Sequence, residues 1–77
     1  MKIYFVESKQ DSAGFRERCH VQAESPEKAA RMGSDQMGSH AEYIWELPAP
    51  DDHERAYDLY GVAQWRVRVI GNHYTLI

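Results

Sequence analysis

The stretch FRERCHVQAESPEKAARMGSDQMGS, residues 15–39, decides the fold because its hydrophobic period changes halfway along. From Phe15 to Ala23 the pattern has period two. Phe15, Cys19, Val21 and Ala23 point one way, with Glu17 the exception, while Arg16, Arg18, His20 and Gln22 point the other. Such alternation marks an antiparallel strand with one apolar and one polar face. After Glu24 the punctuation is helical. Ser25 can accept from the free N–H groups of a first turn, Pro26 suits the first helical position, and Glu27 faces the positive end of the dipole. Ala29, Met32, Gly33 and Met37 recur at steps of three and four, and Gly38 is placed to end the helix. A strand followed directly by an amphipathic helix over 26–37 is the seed of an α+β domain.

Working outward, KIYFVES at 2–8 reads as an opening strand and DSAG at 11–14 as a turn, with Gly14 able to take positive φ. AEYIWEL at 41–47 reads as a third strand, with Tyr43, Trp45 and Leu47 on one face and Glu42, Ile44 and Glu46 on the other. PAP then breaks the chain. DDHERAYDLYG at 51–61 fits either a short helix or a structured loop. VAQWRVRVI at 62–70 places Ala63, Trp65, Val67 and Val69 inward and Gln64, Arg66 and Arg68 outward. Gly71-Asn72 is a two-residue hairpin loop returning into HYTLI. The expected fold is one α+β domain over 1–77: a curved antiparallel sheet of four to five strands packed on one main helix, in the order β-β-α-β-(α)-β-β.

The 77 residues suffice for one small core, in which only about 60% of the unfolded chain's surface is buried. A single cysteine, Cys19, allows no internal disulfide, which points to a reducing compartment. The apolar run near Met1 is too short for a signal peptide or a membrane span, so a cytoplasmic protein without membrane contact is expected. The net charge of −3 is unevenly spread. Residues 1–41 balance, residues 42–58 set six acids against Arg55 alone, and residues 59–77 add only Arg66 and Arg68.

No phosphate loop, cysteine pair, His-Glu helix motif or nucleophile elbow is present. Cys19 lies on an apolar strand face without an adjacent base. His20, His40, His53 and His73 are scattered over different elements, and DDHE reads as a solvated acidic turn rather than a metal site. The expectation is therefore a protein with no catalytic residues, no cofactor and no metal.

Two surfaces remain. Arg16, Arg18, His20, Arg66 and Arg68, joined by Gln22, Gln64 and Tyr4, would form one basic sheet face if their strands were neighbours, and such a face suits single-stranded nucleic acid. The second is the acidic segment, where Glu46, Asp51, Asp52, Glu54 and Asp58 surround Tyr57. Charge for steering around an aromatic anchor has the composition of a protein-binding patch. Its bland alternative is a solvated connection, with Trp45 in the core.

The opening MKIYFVES, the glycine turn and SAGFRERCHVQAESPEKAARMGS resemble the first half of small phage-encoded anti-CRISPR proteins that act on type I surveillance complexes. In these an opening strand is likewise followed by a glycine turn, a strand ending in Val-x-Ala and an alanine-rich helix. The resemblance fades after Met37 and carries no binding residue with it. It implies a phage protein working in the host bacterial cytoplasm by stoichiometric binding to a host protein or nucleoprotein complex, such as subunits of a type I complex. A small nucleic-acid-binding protein and a structural module of a larger assembly are the other classes. Composition leaves open whether the chain is a monomer or a dimer.

Overall fold

The computed structural model describes residues 2–47 and 64–77. Strand β1 (Lys2–Ser8) pairs antiparallel with β2 (Arg18–Ala23) on one side and with β3 (Ala41–Glu46) on the other. β3 in turn pairs with β4 (Trp65–Ile70), and β4 turns through Gly71, at φ 61°, into β5 (His73–Leu76). The result is one five-stranded antiparallel sheet in the order β2-β1-β3-β4-β5, with helix α1 (Pro26–Met37) on one face. This is the α+β fold expected from the sequence. The proposed 51–61 helix or loop lies outside the described residues.

The helix begins and ends where its punctuation places it. Ser25 is extended and its hydroxyl accepts from the Lys28 N–H, while Gly38 takes the left-handed conformation and its N–H bonds Ser34 O. Its buried face is Ala29, Ala30, Gly33 and Ser34, with Met37 beside them. Met32, read from spacing as part of that face, is instead 45% exposed. The stripe has rotated toward the small residues because they let the backbone come close. A Cβ on Gly33 would lie 2.8 Å from Val6 Cγ1, so glycine is what admits the helix to β1.

Under the helix lie Tyr4 and Val6 of β1, Cys19, Val21 and Ala23 of β2, Ala41 and Ile44 of β3, and Val67 of β4. Phe15, read as part of this apolar row, is 72% exposed. The Asp11 carboxylate accepts from both Ala13 N and Phe15 N at 2.9 Å, so Phe15 belongs to the turn and the strand starts only at Arg18. Ala41 and Ile44 share a face although they are three residues apart. The pairing slips between Glu7 and Ser8, which face Tyr43 and Ala41, and Glu42 is the extra residue of a β-bulge.

The opposite face is not wholly polar, as the alternation had suggested. Phe5, Trp45 and Leu47 are buried there as a second apolar cluster flanked by Ile3 and Tyr43. Trp45 is 3% exposed and belongs to the core.

Candidate functional site

The outer face takes its chemistry from strand order. Between β2 and β4 stand β1 and β3, so Arg18 and His20 are about 14 Å from Arg66 and Arg68 at ordinary strand spacing. The condition for a single basic patch, β2 beside β4, is not met, and the cations fall into two groups. Tyr4 does not join it: at 1% exposure it lies under the helix, its ring tilted against Trp65 at 6.2 Å. Its phenol is pushed up from 10.0, first by burial and then by the Glu46 charge.

On the β2 side the cations are already engaged. Arg16 donates through Nη1 to Glu42 Oε1 at 2.5 Å and to Ser8 O at 3.0 Å, and its guanidinium lies 5.2 Å from the centre of the Tyr43 ring. The Glu42 hydrogen bond, against the cost of burial, pushes the Arg16 guanidinium further up. Glu7, buried near the end of β1, takes Arg18 Nε at 3.2 Å and Arg16 Nε at 3.8 Å. The bulge makes this network possible, because it turns Glu42 onto the outer face beside Tyr43. His20 lies tilted against Phe5 at 5.0 Å, and Phe5 meets Trp45 edge-on at 5.4 Å. Those two aromatics are buried and so do not offer free faces on which bases could stack.

On the β4 side Arg66 and Arg68 are exposed and make no ion pair among the described residues. With Lys9, Glu42, Val67, Val69 and Ile77 they line a shallow depression of about 310 Å³ where β3 and β4 part beyond the Tyr43–Arg66 pairing. Sequence reading did not find Lys9, since it follows β1 outside any periodic element. Only the sheet brings it near Arg66.

Of the proposed acidic patch, Glu46 is half-buried and pairs with Lys2 Nζ at 3.2 Å, while its backbone N–H donates to the Gln64 side chain. Asp51, Asp52, Glu54, Tyr57 and Asp58 lie outside the described residues.

Among the described residues no three His, Cys, Asp or Glu side chains converge on a point that would suit a metal. Cys19 is buried, its sulfur 3.9 Å from Gly33 O, and burial, with a smaller effect of Glu17, pushes the thiol up from 9.0. No helix among the described residues is long and apolar enough to cross a membrane. Compared with protein-family models, curated proteins and solved structures, the chain matches none.

Proposed function

We propose that the protein is a non-enzymatic inhibitor of the anti-CRISPR kind. It binds a host protein or nucleoprotein complex, with a type I surveillance complex as the leading partner, and blocks nucleic-acid access in the bacterial cytoplasm. The observation that favours a protein partner over nucleic acid is the state of the outer face. Glu7 and Glu42 neutralise Arg16 and Arg18, and the central aromatics are buried. A sheet reader of single strands needs the reverse: free cations and open rings. With Glu42 and Glu46 also paired, the principal concentration of like charge is then the 47–58 stretch, net −3, whose Asp51, Asp52, Glu54 and Asp58 suit the basic groove of a nucleic-acid-handling machine.

A test is target-DNA loading by a purified type I surveillance complex at two salt concentrations. Stoichiometric protein should block loading. Asp51→Asn, Asp52→Asn and Glu54→Gln together should slow association and weaken its salt dependence, because rim charges act on the on-rate. Tyr57→Ala should instead quicken dissociation if that ring is buried on docking. Unaltered loading in the presence of excess protein would reject this partner, and a triple variant that associates as fast as wild type at low salt would reject the acidic patch.

Arg66, Arg68 and Lys9 around their depression support a second reading, nucleic-acid binding confined to β4. It requires a salt-sensitive affinity for single-stranded DNA or RNA that Arg66→Glu with Arg68→Glu removes.

A further inference from the structure

Among the described residues β5 has a neighbour on one side only. Ile77 N donates to Arg66 O at 2.8 Å, so the alternate pairs Arg68–Thr75 and Ile70–His73 are the hydrogen-bonded ones. The backbone groups of Tyr74 and Leu76 are therefore directed off the open edge. Edge strands are ordinarily guarded by charged side chains, proline or a bulge. His73, Tyr74, Thr75 and Leu76 include no Lys, Arg, Asp, Glu or Pro, and their pairing with β4 is regular. The other edge, β2, carries Arg18 and is followed directly by the helix.

The hairpin also leaves two large aliphatic side chains in water, Ile70 at 58% and Ile77 at 66% exposure. Ile70 adjoins the turn and Ile77 stands at the other end, opposite Arg66. A partner strand running antiparallel brings its far end to the near end of this one. If that partner is the same hairpin, Ile77 of one copy arrives opposite His73 of the other, with Ile70 one strand beyond on the same face, and the reverse contact follows by symmetry.

We propose that a second copy of this chain docks along the β5 edge, joining the two sheets into one continuous antiparallel sheet. The two-fold axis passes beside Thr75, and Tyr74 and Leu76 of each copy bond Leu76 and Tyr74 of the other. This register overlaps the whole of 73–77 and sets Thr75 opposite its own copy on the face away from the helix, a favourable cross-strand pair. The cations of β4 do not oppose it. The two copies of Arg68 stand three strand spacings apart, about 14 Å, beyond the roughly 8 Å over which physiological salt leaves exposed charges in contact.

The experiment is sedimentation equilibrium over a dilution series, with amide exchange read in parallel. Wild type should be a dimer that dissociates on dilution, with the Tyr74 and Leu76 amides protected only in the dimer. Thr75 is exposed, so Thr75→Lys is tolerated apart from a like charge opposite Arg68 in its own hairpin, but it sets two ammonium groups face to face, and Kd should rise at least about tenfold. Thr75→Glu should do the same, and mixing the two variants should restore the dimer, a rescue that no folding defect would show. Ile77→Lys should weaken the dimer independently. A wild-type chain that stays monomeric at millimolar concentration overturns the inference, as does a Thr75→Lys dimer as tight as wild type.

Discussion

Ser34 sits on the buried helix face, a polar residue where packing alone would ask for alanine. Its hydroxyl donates to Ala30 O at 2.7 Å and accepts from Ala41 N at 2.8 Å, thereby tying the helix to the start of β3. Ser34→Ala leaves the Ala41 N–H buried without that acceptor and should cost about 1–3 kcal/mol, measurable as a lowered urea midpoint. Gly33 next to it has no side chain because Val6 occupies the space. Gly33→Ala gains up to about 1 kcal/mol in helix propensity but must push the helix outward, at about 1–3 kcal/mol. The net should be destabilising, and smaller in a Val6→Ala background, which a double-mutant cycle would show. Cys19 and Tyr4 are acids that burial holds in the protonated form. The folded state then keeps their protons when the unfolded chain has begun to lose them. Stability from this source is whole below pH 9.0, where an ordinary thiol titrates, and declines as pH rises above it, with Tyr4 joining above 10.0. Urea midpoints of Cys19→Ala should therefore fall later on the alkaline side than those of wild type.

At the scale of the element, β3 departs most from its sequence pattern. Strict alternation would keep Glu42 with Ile44 and Glu46, yet the bulge sends its carboxylate to Arg16 and keeps both Ala41 and Ile44 under the helix. A bulge leaves no mark in period-two reading, since the same residues alternate correctly on either side of it. The two tryptophans also differ in burial. Trp65, inward by alternation, is only half-buried, while Trp45 on the opposite face is 3% exposed against Phe5 and Leu47. Trp45→Ala should cost about 3–5 kcal/mol, and Trp65→Ala measurably less. Chemical denaturation of the two variants ranks them directly, and a larger loss at Trp65 would contradict the two-cluster core.

For the whole molecule the decisive quantity is where charge remains after pairing. Reversing Arg66 and Arg68 changes exposed side chains with no ion pair among the described residues, so stability should move by about 0.5 kcal/mol or less per site. Replacing Glu7 by Ala should act differently, because it removes the buried acceptor shared by Arg16 and Arg18. A loss of about 1–3 kcal/mol is expected for removing this charged acceptor, because Arg18 is more than half exposed and Arg16 keeps its bonds to Glu42 and Ser8 O. Thermal unfolding of the two sets of variants separates a surface charge pair from a structural one.

The sequence by itself determined what depends on neighbours along the chain: the bounds of α1 and its caps, the turn at Asp11–Gly14, the hairpin at Gly71, and the inward row Val67 and Val69. Periodicity, capping and turn conformation are local interactions, legible wherever residues a few positions apart interact. The tertiary structure alone decided strand order, and with it the division of the basic face, the burial of Phe5 and Trp45, the neutralisation of Arg16 and Arg18, and the place of β5 at the end of the sheet among the described residues. An alternating strand presents the same two faces whichever strand it pairs with. Which strand lies beside it is chosen by contacts between residues far apart in the chain, and only the closest packing of helix on sheet selects among them.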